Sequence, residues 1–150
     1  NGIYVLIGDI AKGAITVLII EYLIMKGNNP AGMMGIGCIA AVIGHLFPVW
    51  FKFRGGKGVA TFVGCLLAIN VWSGLLAIAL WAIIMLVFRI ASIASLIAVI
   101  AGLVLFITQV ISGTSTLSGA IFPMVVAAAI VIWAHRDNIK NLRAGNEKKV

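Results

Sequence analysis

Long apolar runs separated by short polar interruptions make up most of this chain. The runs extend from about Ile3 to Met25, Ala31 to Trp50, Val59 to Ile69, Val71 to Phe88, Ile90 to Ile111, and Leu117 to Ala134. Polar residues gather between them at Lys26-Gly27-Asn28-Asn29-Pro30, Phe51 to Gly58, Asn70 to Ser73, Arg89 and Ser112 to Ser118. The tail from His135 to Val150 is polar. The pattern predicts an all-α, polytopic transmembrane helix bundle of about six helices. The third run is too short to cross a bilayer alone, since crossing takes about 20 residues. No gap is large enough for a soluble domain and no long repeat is evident. Residues 1–150 therefore read as one integral membrane domain, with 135–150 as its basic tail.

Composition strengthens this reading. Apolar residues are 63% of the 150 and charged residues only 10%, against about 45–50% and about a quarter in soluble domains. A small chain has too much surface for its volume to hide that much hydrocarbon. Lipid is the solvent. The 11 Lys and Arg outnumber the 4 Asp and Glu, giving a net charge of +7. No pattern of basic residues interleaved with stacking aromatics points to nucleic acid. The basic residues instead divide unevenly between alternate loops. Lys52, Arg54, Lys57, Arg89, Arg136, Lys140, Arg143, Lys148 and Lys149 fall on one side, and Lys26 alone on the other. Six crossings and the positive-inside rule then predict cytoplasmic motif loops and a cytoplasmic C-terminus. Cys38 and Cys65 form no C-x-x-C pair and read as packing residues. The sequence opens on Asn1 with no initiator methionine and no visible signal peptide, which reads as the start of a fragment.

Polar groups are costly in a membrane, so their positions are informative. The stretch Phe51 to Thr61 reads F-K-F-R-G-G-K-G-V-A-T. Gly55, Gly56 and Gly58 let backbone N–H groups approach a ligand closely and form an anion nest. Lys57 adds a charge, and a helix starting near Val59 would aim its positive end the same way. Phosphate binding is the expectation, although a basic membrane-surface turn fits the stretch about equally well. The Walker pattern is absent, because Gly58 follows Lys57. Ser92 and Ser95 are three apart on one helix side with Arg89 one turn back, a cluster suited to an anionic head group. A snorkelling arginine beside two packing serines is the plainer account of it.

The tail opens with His135, Arg136, Asp137 and Asn138. His135 and Asn138 are spaced to share a helix face. Histidine can bind phosphate or move a proton near neutral pH, and Asn138 can donate to a developing oxyanion. A basic stop-transfer tail is the competing account. Asp9 and Lys12 are spaced to pair across one helical turn, close to the predicted cytoplasmic end. His45 reads as a structural hydrogen-bonder, and Ala40 with Gly44 as a close helix contact. The tryptophans read as interface anchors or packing. No metal constellation accompanies either histidine.

Taken in order, the motifs are more specific than any one alone. They are Asp9-x-x-Lys12-Gly13, Gly44-His45-x-Phe47-Pro48, Phe53-x-Gly55-Gly56-Lys57-Gly58-Val59-Ala60-Thr61, Arg89-x-x-Ser92-x-x-Ser95, His135-Arg136-x-Asn138-Ile139 and Gly145-x-Glu147. Over essentially its whole length the chain resembles the bacterial acyl-phosphate:glycerol-3-phosphate acyltransferases, the PlsY family. That resemblance implies a seven-helix membrane fold, here without its first helix and first motif, which would lie before Asn1. It implies transfer of a fatty acyl group from acyl phosphate to glycerol 3-phosphate, giving lysophosphatidic acid and phosphate in early phospholipid biosynthesis. It places Gly55, Gly56, Lys57 and Thr61 in its second motif, His135, Arg136 and Asn138 in its third, and Ser92 and Ser95 near the substrate pocket. With Gly58 and Arg89, the candidates for substrate and phosphate binding are then Gly55, Gly56, Lys57, Gly58, Thr61, Arg89, Ser92, Ser95 and Arg136. His135, Asn138 and Lys57 become the catalytic candidates. Ile90 stands where the family often has tyrosine, and Asn141 where it commonly has arginine.

The resemblance also implies no cofactor and no metal, a bacterial plasma-membrane location, and a functional link to a soluble enzyme that makes acyl phosphate. The rival class is a small-anion transporter or channel. Against it stands the absence of the inverted repeats and broken helices common in transporters.

Overall fold

The computed structural model describes residues 2–24, 30–48 and 55–149. The polar stretch at Lys26 to Asn29 and the basic positions Lys52 and Arg54 lie outside the described residues, as does Trp50. Helix α1 spans Gly2–Ile24, α2 Pro30–Leu46, α3 Val59–Ile69, α4 Val71–Phe88 and α5 Ala91–Ile111. A 3-10 turn at Ser118–Ala120 leads into α6, Ile121–Ala134, and α7 follows at Arg136–Arg143. No strand occurs among the described residues. The fold is therefore the expected all-α membrane bundle.

The helices are of unequal reach. The stretches Gly2–Leu23, Val71–Phe88 and Ala91–Ile111 are long and apolar enough to cross a membrane. Helix α2 has 17 residues and α3 only 11. At a rise of 1.5 Å per residue, α3 covers about 16 Å, roughly half of a bilayer's hydrocarbon core. The stretch Ser118–Ala134 continues into α7 through a bend of 56°. The sequence pattern treats all six apolar runs as crossings. Among the described residues, three helices are long and apolar enough to cross unaided, or four if the bent pair forms one span.

Helix α3 is the hub, packed on α1, α2, α4, α5 and α6. Thr61, Phe62, Cys65 and Leu66 on it are fully buried. It meets α1 at van der Waals distance because both contact points are glycine. A Cβ on Gly13 would collide with the Thr61 carbonyl, and one on Gly64 with the Ile10 carbonyl. Close approach of this kind carries helix association where lipid removes the hydrophobic drive. Ala40 and Gly44 do not serve that purpose: Ala40 is exposed, and no described atom comes near Gly44. Both cysteines are free and buried, and Cys65 lies 3.6 Å from the Gly13 carbonyl as a weak donor.

The break between α3 and α4 is held by Asn70. Its backbone is extended, its Oδ1 accepts from the Ser73 N–H at 3.0 Å, and its Nδ2 donates to Gln109 Oε1 at 2.6 Å. A chain break among apolar helices needs such partners, because hydrocarbon offers none. The outward surface is greasy: Tyr4, Tyr22, Leu23, Leu86 and Phe122 are each more than two-thirds exposed.

Candidate functional site

The site forms where α3 begins. Gly58 adopts φ 82°, a left-handed conformation that favours glycine, and its Cα sits against Leu46 and Val42 of α2. Phe62 N–H already bonds to the Gly58 carbonyl. The N–H groups of the first turn are left without intrahelical partners, and no side chain caps them. Their positive end opens on a cavity of about 430 Å³ lined by Lys57 and by Val59 and Ala60 of that first turn. That volume lies within the range of about 300–1,000 Å³ usual for ligand pockets.

Gly55 and Gly56 serve the loop differently from the expected nest. Gly56 is not among the glycines with positive φ. A Cβ on Gly55 would collide with the His45 carbonyl, and one on Gly56 with the His45 ring. Their bareness lets the loop seat on the end of α2. Gly58 supplies a left-handed turn.

From the other side, Ser92 and Ser95 on the first turns of α5 line the same cavity, as do His135 and Asn138. His135 stands at the α6–α7 bend, just past the last apolar residue, and is 2% exposed. Its Nδ1 is 2.8 Å from the Val131 carbonyl. A carbonyl only accepts, so Nδ1 carries the proton and Nε2 of the neutral ring keeps its lone pair. Burial holds the His135 pKa below its ordinary value, and Lys57 pushes the same way. The Val131 bond and Glu147 oppose them without prevailing.

The most connected group is Glu147. Its Oε1 accepts from Ser92 Oγ and from Asn138 Nδ2, both at 2.6 Å. These two bonds, Ser92 first, hold its carboxyl below the usual range. Gly145, at φ 70°, turns the chain after α7 so that residue 147 comes back over α5.

An apolar groove of about 220 Å³ adjoins the polar cavity. Leu6, Ile10, Val63, Ala77, Ile78 and Trp81 line it, and Val59, Ala60 and Ser95 belong to both spaces. Trp81 Nε1 donates to Ser95 Oγ at 3.3 Å, so a hydroxyl marks the junction of polar and apolar walls.

The model of the family "Glycerol-3-phosphate acyltransferase" matches residues 1–145. The chain belongs to this family. It is 46% identical over 147 residues to the glycerol-3-phosphate acyltransferase of Coxiella burnetii strain Dugway 5J108-111, covering 98% of this chain and 71% of that relative. To the enzyme of Ralstonia pickettii strain 12J it is 39% identical, covering 99% of this chain and 69% of the relative. Its fold matches the glycerol 3-phosphate form of PlsY (YgiH), an integral membrane glycerol 3-phosphate acyltransferase, with a TM-score of 0.83 and 32% identity. That match covers 99% of this chain and 70% of the other. The lysophosphatidic acid form of PlsY fits equally well, at 0.83 and 32%.

Within this acyltransferase fold, the cavity gathers Gly56, Lys57, Gly58, Ser92, Ser95, His135 and Asn138 from the expected set. Others fall elsewhere. Gly55 and Arg136 line a separate surface hollow of about 270 Å³ on the far side of the loop. The Arg136 guanidinium lies 4.3 Å over the Trp133 ring. Thr61 is wholly buried beneath the loop, its hydroxyl without a partner among the described residues. Arg89 is not on the serine helix: it caps α4 at φ 56°, exposed, and is not among the cavity-lining residues. A count of three back from Ser92 gave it a helical turn that the chain does not have. Conversely, Asp9, His45, Glu147 and Lys148 line the cavity without having been chosen from sequence. For Glu147 the only signal was the Gly145-x-Glu147 pattern.

Proposed function

We propose that this chain moves a fatty acyl group from acyl phosphate to glycerol 3-phosphate, forming lysophosphatidic acid and inorganic phosphate. The observation that carries the reading is the common wall of the two spaces. A polar cavity holding Lys57 and the open N–H end of α3 and a hydrophobic groove suited to an acyl chain meet at Val59, Ala60 and Ser95. An acyl phosphate laid across that wall has its tail among apolar side chains and its carbonyl at the junction. Lys57 and the unpaired N–H groups of α3 hold phosphate, with Ser92, Ser95 and Asn138 as further polar contacts.

The glycerol hydroxyl then attacks the acyl carbonyl, an ester C–O bond forms, and the C–O bond to phosphate breaks. Positioning and charge stabilisation supply most of the acceleration, since phosphate leaves readily. The hydroxyl proton goes to His135 Nε2, whose lone pair is open, and from there to the departing phosphate. Glu147 is unsuited to that task, because its carboxylate is tied to Ser92 and Asn138 and held below its usual pKa. Arg89 and Arg136 act, in this reading, by drawing anionic substrate to the face rather than by contact. The reaction takes place on the cytoplasmic side of a bacterial plasma membrane, supplied by a soluble enzyme that makes acyl phosphate. No cofactor is required.

Phosphate release from acyl phosphate, followed in detergent with and without glycerol 3-phosphate, tests the reading. Release that depends on glycerol 3-phosphate, yields lysophosphatidic acid and collapses in Lys57→Ala is expected. Vesicle uptake of an anion without turnover would favour transport instead. His135→Ala is expected to lower kcat by about 10²–10⁴-fold at saturating substrates. Near-normal turnover in that variant removes His135 as the base.

A further inference from the structure

Several polar side chains in and around the cavity are committed to protein partners. Lys12 Nζ donates to Asp9 Oδ1 at 2.7 Å and also reaches His45 Nδ1. Ser92 and Asn138 both donate to Glu147, and the His135 ring bonds to the Val131 carbonyl. Ser95 differs. It is 8% exposed, and its Oγ accepts from Trp81 Nε1 at 3.3 Å. An indole N–H only donates, so it takes a lone pair of Oγ and leaves the hydroxyl proton unspent. Serine and threonine inside helices often return that proton to a carbonyl one turn back. Thr16 does so with Lys12, and Thr108 with Leu105, both at 2.8 Å. Ser95 makes no such bond, and no described residue accepts its proton.

A buried donor left without an acceptor is costly. The hydroxyls of Thr61 and Ser73 also lack partners among the described residues, but neither residue lines the cavity or the groove. Ser95 lines both, and Val59 and Ala60, which share that position, present hydrocarbon side chains. Depth along α5 sorts the two serines. Ser92 on the first turn faces the cavity alone, and Ser95, three residues on, reaches the groove as well. In acyl phosphate the carbonyl carbon lies between the alkyl chain and the phosphate oxygen. With the chain in the groove and the phosphate in the cavity, that carbonyl falls at the level of Ser95. Trp81 also lines the groove, so its N–H holds Oγ from the apolar side. A serine nucleophile would need a base to take its proton, and no described residue stands there. The hydroxyl is placed to donate.

We propose that Ser95 is a further catalytic residue, an oxyanion donor: its Oγ–H donates to the carbonyl oxygen of acyl phosphate. As the glycerol oxygen adds to the carbonyl carbon, the C=O π pair moves onto that oxygen. The Ser95 bond strengthens on the developing charge, and the pair returns when the C–O bond to phosphate breaks. Ser95 keeps its proton throughout. A donor placed where charge develops speeds transfer without tightening substrate binding. Trp81 is a positioning residue, acting through Ser95. The assignment rests on the acyltransferase reading and names the atom that Ser95 contacts within it.

Ser95→Ala removes the donor and is expected to lower kcat by about 10²–10³-fold, with KM for both substrates within about threefold of wild type. Contact with phosphate in the ground state predicts the reverse. A raised KM with kcat intact overturns the proposal, as does full activity. Trp81→Phe keeps an aromatic ring and loses the N–H. It should lower kcat by about tenfold when Ser95 is present and by less than about twofold in the Ser95→Ala background. Equal losses in both backgrounds would mean that Trp81 acts by packing, and overturn its coupling to Ser95.

A second measurement needs no turnover. A β-ketophosphonate analogue of acyl phosphate carries a methylene in place of the bridging oxygen and cannot transfer its acyl group. With its carbonyl carbon isotopically labelled, the infrared C=O band of the bound analogue should lie lower in wild type than in Ser95→Ala or Trp81→Phe. A wild-type band at the position found in an aprotic solvent, or one that neither substitution moves, overturns the assignment. Absence of phosphate release by wild type in the presence of glycerol 3-phosphate strikes the acyltransferase reading instead, while the bound analogue still decides Ser95.

Discussion

His135 and Glu147 are two cavity residues whose ionisation the fold shifts, and both shifts have a consequence for stability. The pKa of His135 is lowered in the folded state, mainly by burial. Between the folded value and the ordinary 6.5, the unfolded chain binds more protons than the folded one. Stability from this group is therefore complete above pH 6.5 and declines as the pH falls through the folded pKa. Glu147, lowered from 4.5 by Ser92 and Asn138, adds a second loss below that pH. Thermal unfolding in detergent should show the midpoint falling in two acid stages, the upper one reduced in His135→Gln. A flat profile between pH 7 and 5 in wild type would contradict the burial argument. Residue identity alone revealed part of this. Histidine and asparagine three apart in the tail announced a shared face, whereas the bonds of Glu147 needed a turn at Gly145 that spacing does not describe. The Lys12–His45 contact joins residues 33 positions apart, beyond any local pattern.

Among the elements, α3 is the one whose length matters most. It starts at the cavity and ends at Asn70, so its positive end is delivered to the site by a helix too short to leave it. Polar punctuation marked both of its bounds, Val59 and Ile69, and those of α4 as well. The short α7 bears out the helix face implied by the His135–Asn138 spacing, although the tail's composition did not mark its bounds. Its Asp137–Lys140 pair, 3.7 Å apart and largely exposed, adds little. Asn70 holds the far end of α3 through the Ser73 cap and the Gln109 bond. Asn70→Ala removes both partners at once. It should cost about 1–3 kcal/mol of stability, from a lost cap and a stranded Gln109 amide. With the folded fraction corrected for, KM for glycerol 3-phosphate should be unchanged, because Asn70 lies at the end of α3 remote from the loop. A large KM change without loss of stability would mean that α3 transmits more than its own position.

On the scale of the whole molecule, the bundle sets a polar cavity and an apolar groove side by side with a common wall. Hydropathy showed that lipid surrounds the chain, but not which helix faces leave a gap between them. Periodicity describes one helix at a time, and the groove is made by four regions: α1, α3, α4 and α5. That gap is what makes acyl-chain length a testable property of the wall. Ile78 lines the groove and is partly exposed, so changing its size alters the groove without overfilling the core. Each methylene removed from water contributes about 0.8 kcal/mol, or roughly fourfold in binding. Ile78→Trp should shorten the groove and shift kcat/KM toward shorter acyl phosphates by about that factor for each methylene displaced. Ile78→Ala should flatten the dependence on chain length. Competition between acyl phosphates of two lengths, with lysophosphatidic acid products resolved by mass, reads the shift directly. If neither substitution alters the product ratio while both proteins remain active, the acyl chain does not occupy this groove, and the lipid-facing side of α1 becomes the surface to probe.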